Sequence, residues 1–276
     1  MKDLKGRTAL LTGASGGIGR KIAEALADAG VNVVVTGRRQ DALAEVAAAV
    51  TQRGAKSAVV PADLAKFDAI DPLIEEAESA LGPIDILVNN AGTEFAAPFA
   101  LSTKDELTSL IDVNVTSPML LTRRVLPGME QRKRGSVVFV ASGSGHFPAA
   151  YVAAYSASKA ALIALTKSLR AEYADSPIGF SVVSPGFVAG DGMYQRIIDS
   201  GVKSPALLGT TTTEKVAASV VRAIRRDAVE IIPTGSPARP LAAFGMLAPK
   251  THERLLGRVG MHRLFTETAR QRGRLE

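Results

Sequence analysis

The chain contains no cysteine and no tryptophan, only three histidines, and aromatic residues make up 5% of its 276 positions. Without thiols there is no disulfide, no thiol nucleophile and no thiolate metal site. His146, His252 and His262 lack ligand spacing and have no acidic cluster beside them in the sequence, so no metal site is expected. So few aromatics leave little from which to build a base-stacking platform. No apolar run is long enough to span a bilayer, and Met1-Lys2-Asp3-Leu4-Lys5-Gly6 is no signal segment, so the expected location is cytoplasmic. Charge of one sign is scarce until the end. The net charge is +6, but eight Lys/Arg against three Glu lie after residue 235, so five of the six excess charges fall in that tail. Nucleic acid is not an expected partner, because a reader of nucleic acid needs a broad basic face or a recognisable module.

What is present is an alternation. Apolar, β-branched runs at Thr8–Leu11, Val31–Val35, Ala58–Val60, Ile84–Val88, Val137–Val140, Phe180–Val183 and Val229–Ile232 are separated by helical stretches. Runs without polar alternation are strands buried on both faces. The fold class expected is therefore α/β: a Rossmann-like, doubly wound parallel sheet of seven strands covered by helices on both faces. Helices are expected over Ile18–Ala29, Asp41–Thr51, Ala65–Ala80 and Ala153–Tyr173, and over Lys104–Met129 with interruptions near Pro118 and Pro127. Thr211 with Glu214 forms a capping box for a helix over Lys215–Arg226. Residues 187–211 are irregular and long for a connection, which suits an active-site lid. One domain covers residues 1–235, and residues 236–276 form a basic extension packed on that domain or on a partner subunit.

The first strand runs into Thr12-Gly13-Ala14-Ser15-Gly16-Gly17-Ile18-Gly19 and then a helix. That order places a pyrophosphate on a helix N-terminus, where free amides and the helix dipole favour its charge. No G-x-x-x-x-G-K-[ST] run exists, which argues against a nucleotide triphosphatase. An NAD site offers an acid to the ribose 2′-hydroxyl at the end of the second strand. Here Thr36-Gly37-Arg38-Arg39 stands there, with no acid before Asp41, so NADP(H) is preferred over NAD(H). Asp63 either accepts from the adenine amino group or only caps the helix that follows.

Tyr155 and Lys159 are four residues apart, one helical turn, so an ammonium lies beside a phenol and lowers its pKa. A phenol poised in this way exchanges a proton with a carbonyl or carbinol oxygen. Tyr151 is not the base, since the residue four positions on is a tyrosine, not a lysine. Ser142 with His146 is no hydrolase pair, because the strand-to-helix G-x-S-x-G turn is absent.

These motifs resemble the short-chain dehydrogenase/reductase family over about residues 6–235: Thr12-Gly13-x-x-x-Gly17-x-Gly19, Asp63, Asn89-Asn90-Ala91-Gly92, Asn114, Ser142, Tyr155-x-x-x-Lys159 and Pro185-Gly186, in family order. The resemblance implies an NADP(H)-dependent oxidoreductase that interconverts a ketone or aldehyde and an alcohol by hydride transfer. It implies Tyr155 as acid/base and Lys159 as the group that lowers its pKa and holds the nicotinamide ribose. It also implies Ser142 as the orienter of the substrate oxygen and Asn114 as the holder of a relay water through a local helix distortion. Cofactor contacts are implied for Gly13, Ser15, Gly16, Gly17, Ile18, Gly19, Arg38, Arg39, Asp63, Leu64, Asn90, Ala91, Gly92, Pro185, Gly186 and Val188, beside Tyr155 and Lys159. By the same resemblance, the helices Lys104–Met129 and Ala153–Tyr173 pair subunits into a homodimer or homotetramer.

Two departures stand out. Gly190 occupies the position where the family often has a threonine contacting the carboxamide. The tail carries Leu241, Phe244, Met246, Leu247, Leu255, Leu256, Val259, Met261, Leu264 and Phe265 among arginines, with an amphipathic basic helix expected over Glu253–Arg270. It serves as a cover on the substrate pocket or partner subunit, as a peripheral membrane contact, or as a loosely packed end. Glu94, Phe95, Gly143, Ser144, Gly145, His146, Phe147, Pro148, Phe187, Met193, Leu207 and Leu208 line the expected substrate side, which suits a small, apolar carbonyl or alcohol. A 3-oxoacyl thioester is the alternative substrate, and a non-catalytic NADP-binding regulatory protein is the alternative from another class.

Overall fold

A computed structural model describes residues 1–190, 194–195, 198, 209–235, 238–258, 265–266 and 269–270. The chain begins with β1 (Thr8–Thr12), α1 (Gly17–Asp28), β2 (Asn32–Thr36), α2 (Gln40–Gln52) and β3 (Ser57–Val59). There follow α3 (Ile70–Leu81), β4 (Ile86–Asn89), α4 (Lys104–Ile111), α5 (Ser117–Gln131) and β5 (Gly135–Val140). Then come α6 (Ala153–Glu172), β6 (Ile178–Val183), β7 (Phe187–Ala189), β8 (Thr210–Thr212), α7 (Thr213–Arg226) and β9 (Glu230–Ile231). The tail contributes α8 (Ala238–Leu247) and α9 (Pro249–Arg258).

Seven strands form one sheet in the order β3-β2-β1-β4-β5-β6-β9, every pairing parallel. Successive side chains of a strand leave on opposite faces. Leu11, Val33, Val35, Val88 and Val138 accordingly join Ile22 of α1, Leu43 of α2 and Val220 of α7 in one core. Leu10, Val34, Leu87, Val137 and Phe139 join Leu73 of α3, Leu121 of α5 and Leu162 of α6 in the other. Helices thus cover both faces, which is why these strands read as unbroken apolar runs. Between β1 and β4 the strand order reverses, and the crevice beyond their C-terminal ends is where a ligand fits such a sheet.

Several boundaries differ from expectation. The third long helix starts at Ile70, not Ala65. Pro72 lacks an N–H and must lie in a first turn, while Ala65 N is taken by Asp63 Oδ1 at 3.2 Å. The Lys104–Met129 region breaks at a π-helical turn over Asp112–Thr116, ahead of Pro118, and Pro127 sits inside an unbroken α5. Phe187–Ala189 and Thr210–Thr212, expected to be irregular, pair in parallel as a separate two-stranded sheet. The cap of α7 is Thr212, whose Oγ1 accepts from Lys215 N at 3.3 Å, because Thr211 is a buried strand residue.

Residues 191–193, 196–197 and 199–208, with Met193, Leu207 and Leu208, lie outside the described residues. So do the side chains of His252 and Leu256, and residues Val259, Met261, His262 and Leu264. Among the described residues the tail forms α8 and α9, and α9 opens on Pro249, which suits a first helical position; of the helix expected over Glu253–Arg270, residues 259–264 and 267–268 lie outside the described residues. Met246 and Leu247, at the corner between α8 and α9, are 87% and 86% exposed. Among the described residues no helix is long and apolar enough to cross a membrane, and no group of three metal-capable side chains occurs.

Candidate active site

The glycine loop is shaped from below. Thr12 Oγ1 accepts from Asn90 N at 3.0 Å and Ala91 N at 2.9 Å, and Asn90 Nδ2 donates to the carbonyls of Thr12 and Gly13. This ties the end of β4 to the loop after β1, on the two sides of the crevice. A Cβ at Gly19 would run into the Gly13 carbonyl oxygen, so this position in the first turn of α1 admits only glycine. Gly16 caps α1 with no side-chain partner, and the first turn carries no acid, as an anion-binding helix start requires.

At the far end of β2 the two arginines differ. Arg39 Nη2 donates to the Ser15 carbonyl at 2.9 Å and steadies the glycine loop. Arg38 is exposed and has no side-chain partner among the described residues. Asp63 is half-buried at the end of β3, with its carboxylate already engaged by Ala65 N. Leu64 is buried, and its carbonyl accepts from Ser117 Oγ.

The four residues expected to carry the chemistry converge. Ser142 follows β5 and opens a short 3-10 turn, Gly143–Gly145, with its Oγ accepting from Ser144 N at 3.2 Å. That turn lies flush on α6: a Cβ at Gly145 would sit 2.8 Å from Ile163 Cδ1 and 3.0 Å from Ala160 N. The side chains of Ser142 and Tyr155 are thereby brought within hydrogen-bonding reach. Lys159 is buried, its Nζ donates to the Val140 carbonyl at 3.1 Å, and it lies 5.7 Å from the Tyr155 ring centroid. Asn114 sits in the π turn, fully buried, with Nδ2 donating to Thr93 O at 2.9 Å and to Ser158 Oγ at 3.0 Å. Ser158 Oγ in turn donates to the Tyr155 carbonyl at 2.7 Å. A Cβ on Gly92 would approach both Asn114 Oδ1 and Lys159 Nζ at 3.3 Å, so these two groups face one spot.

The electrostatics depart from the simplest expectation. Burial pushes the Tyr155 phenol up, the Glu94 charge adds to this, and the hydrogen bond with Ser142 only partly opposes it. Lys159, bonded to a carbonyl and beside the ring rather than its hydroxyl, is not among these causes. Burial also pushes Lys159 down to about 8, with Glu94 opposing. The protein alone therefore holds the phenol in its proton-bearing form, the state a general acid needs. Glu94 was legible in the sequence only as a lining residue. It acts on two partners more than sixty positions away, and only the fold reveals that.

Other placements follow. Val188 is buried in β7, and Pro185 O accepts from Gly143 N at 2.7 Å, so the turn expected on the cofactor side touches the one expected on the substrate side. Gly190 has φ +90°, where a threonine would be strained, so the usual side chain is not merely missing but disfavoured by the backbone. His146, which has no acidic cluster beside it in the sequence, has Nε2 2.6 Å from the single carboxylate of Glu230, because β9 returns beside β6. Phe265 of the tail is 3% exposed and packs in an apolar cluster with Ala96, Ala149 and Val152, against which Phe147, Tyr151, Tyr155 and Phe187 lie.

Comparison with known proteins agrees with this geometry. The profile of the family described as short chain dehydrogenase matches residues 7–199. The chain is 38% identical over 260 residues to the ketoacyl reductase HetN of Nostoc sp., a match covering 92% of this chain and 90% of the relative. Such coverage must include part of the tail after residue 235. It is 31% identical over 262 residues to a dehydrogenase/reductase SDR family protein 7-like of Anopheles gambiae, covering 91% and 82%. A metagenomic short-chain oxidoreductase crystallised in complex with NADP superposes with a TM-score of 0.72 at 31% identity, over 84% of this chain and 99% of that one. A putative short-chain alcohol dehydrogenase from Sinorhizobium meliloti gives 0.75 at 28% identity, over 84% and 96%.

Proposed function

The chain belongs to the short-chain dehydrogenase family and is an oxidoreductase; we propose that it reduces an apolar ketone or aldehyde with NADPH, reversibly, using Tyr155 as acid/base. The observation that carries this reading is the convergence of Ser142, Tyr155, Lys159 and Asn114 beside the crevice at the β1–β4 switch point. When bound, the nicotinamide cofactor supplies or takes the hydride. The residues present fit it: the first turn of α1, with no acid and no space for a side chain at Gly19, suits the pyrophosphate, Arg38 the 2′-phosphate, and Lys159 with Asn90–Gly92 the nicotinamide ribose. Ser142 holds the substrate oxygen, Tyr155 gives it a proton as charge develops, and the Asn114–Ser158 bonds fix the turn of α6 that carries the phenol.

NADP as cofactor is supported by Arg38 and by the NADP held in the metagenomic relative. The apolar substrate is supported by the cluster of Phe147, Tyr151, Phe187 and Phe265 beside Tyr155. Within the basic extension, residues 236–276, Phe265 favours the reading of a cover on the pocket. The exposed Met246 and Leu247 among basic residues are what a peripheral membrane contact would use. Assembly of copies is supported by Phe99, Leu101, Ile111 and Met119, exposed before and along α4 and α5. A 3-oxoacyl thioester as substrate is the second reading, favoured by the likeness to a protein named a ketoacyl reductase. A panel of free ketones and 3-oxoacyl thioesters, run with NADPH and NADH in parallel, tests both. Turnover of free ketones, with Phe265→Ala shifting the preference to bulkier ones, is expected. No turnover of any carbonyl despite tight NADPH binding would support the non-catalytic alternative.

The pH dependence has a definite sign. An ammonium whose pKa lies near 8 is charged below that value and loses its charge as pH rises through it. The quantity kcat/KM for NADPH, which reports groups of the free enzyme, should therefore fall above about pH 8. Glu94 raises both Lys159 and Tyr155, so Glu94→Gln should move this alkaline limb to lower pH. A limb that stays in place in Glu94→Gln would separate it from these two groups.

A further inference from the structure

Behind the turn that carries Ser142 lies a polar cluster to which the proposed chemistry gives no task. Oε1 of Glu230, in β9, accepts from His146 Nε2 at 2.6 Å and from Ser184 Oγ at 2.7 Å. The side chains of His146 and Glu230 are only 16% and 15% exposed, so this pair is sheltered, unlike the surface ion pairs of α1 and α2. Burial pushes the Glu230 carboxyl up, but the hydrogen bonds from His146 and Ser184, helped by the charges of His146 and Lys167, outweigh it and hold the group below the usual carboxylate range. The carboxylate is then acceptor-only, and Nε2 carries the proton between them.

The placement of the three partners gives the cluster a meaning. His146 directly follows the Gly143–Gly145 turn opened by Ser142, and Ser184 directly follows β6, immediately before Pro185-Gly186. The two turns already touch through Gly143 N to Pro185 O at 2.7 Å, and Ser184 N bonds Ile231 O at 2.9 Å. A single carboxylate oxygen therefore clamps the substrate-side turn to the cofactor-side turn. We propose that Glu230 and His146 are positioning residues, which hold the Ser142 hydroxyl in register with the Pro185-Gly186 edge of the cofactor crevice. The proposal rests on the assignment of Ser142 as the group that holds the substrate oxygen. Its physical basis is that misplacing a reacting group by about 1 Å can cost roughly a hundredfold in rate. A sheltered side chain anchored on another strand is a means of preventing such a shift.

A strut that merely stabilises the fold would look the same in the structure, so the test is a double-mutant cycle. Turnover of a reducible ketone, NADPH affinity and thermal midpoint are measured for Glu230→Ala and Glu230→Gln, each with Ser142 intact and with Ser142→Ala. Glu230→Ala is expected to lower kcat about tenfold to a hundredfold when Ser142 is present. It should cost less than about twofold once the Ser142 hydroxyl is gone, with NADPH affinity within about twofold throughout. Glu230→Gln, which keeps an acceptor oxygen for both donors, should recover most of the rate. Should Glu230→Ala fail to fold, His146→Asn breaks the clamp from the turn side and completes the same cycle. An equal loss with and without the Ser142 hydroxyl, or no loss at all, overturns the proposal. If Ser142→Ala alone costs nothing while Tyr155→Phe abolishes turnover, the positioning role falls and the assigned reaction stands. If neither substitution matters, it is the assigned reaction that falls.

Discussion

Tyr155→Phe is expected to lower kcat for carbonyl reduction about a thousandfold, with NADPH affinity unchanged to within about twofold. Two effects combine. A positioned general acid contributes roughly a hundredfold to ten-thousandfold, and the same hydroxyl is a hydrogen-bond donor to the developing alkoxide. Phenylalanine keeps the ring that packs against the Ala96, Ala149, Val152 and Phe265 cluster, so the site should retain its shape. The hydroxyl removed is partly desolvated and held in its protonated form, which means that the variant loses a proton donor rather than a charge. Ser142→Ala should cost less, because it removes one hydrogen bond and leaves the proton source. Steady-state turnover with NADPH, alongside cofactor titration by fluorescence, separates chemistry from binding. Carbonyl reduction undiminished in Tyr155→Phe would refute the mechanism outright, whatever the substrate.

The legibility of this protein in its sequence divides along a physical line. All seven strands of the sheet were readable; the central ones, buried on both faces, show as near-continuous apolar runs, as Ala9–Leu11 and Val137–Val140 do, while the edge strands β3 and β9 are only partly buried. The glycine loop was readable because the first turn of α1 leaves no space for a side chain at Gly19. The Tyr155–Lys159 pair was readable because helical spacing is local. What was not readable depends on distant parts of the chain meeting. His146 and Glu230 are 84 positions apart, and only the order β5-β6-β9 brings them together. Phe265 is one apolar residue among many in a basic tail, with nothing local to mark it as the one beside Tyr155. The π turn at Asp112–Thr116 has no breaker of its own; it lies just ahead of Pro118, where an interruption was expected, whereas the one expected near Pro127 does not occur. Between Thr211 and Thr212 the choice of cap was set by the pairing of Val188 with Thr211, which no spacing rule contains.

Arg38→Asp is expected to lower kcat/KM for NADPH by about a hundredfold and leave that for NADH unchanged or improved. The two cofactors differ by one phosphate on the adenosine ribose, so the prediction isolates a single charge. A charge-assisted hydrogen bond is worth about 1.5–3 kcal/mol, which alone corresponds to roughly ten- to a hundredfold, and the aspartate adds repulsion of the phosphate. The structure ranks the two arginines that the sequence presents as equals. Arg39 is committed to the Ser15 carbonyl at 2.9 Å, so its loss should loosen the glycine loop and weaken both cofactors alike. Arg38 is exposed at the end of β2 with no side-chain partner among the described residues, and its guanidinium fork is free to grip a phosphate. Arg39→Ala is therefore the control: a uniform loss with NADPH and NADH there, against a selective loss in Arg38→Asp, is the expected pattern. Equal losses for the two cofactors in Arg38→Asp would place the 2′-phosphate elsewhere and remove the ground for an NADP preference, while leaving the hydride-transfer chemistry at Tyr155 untouched.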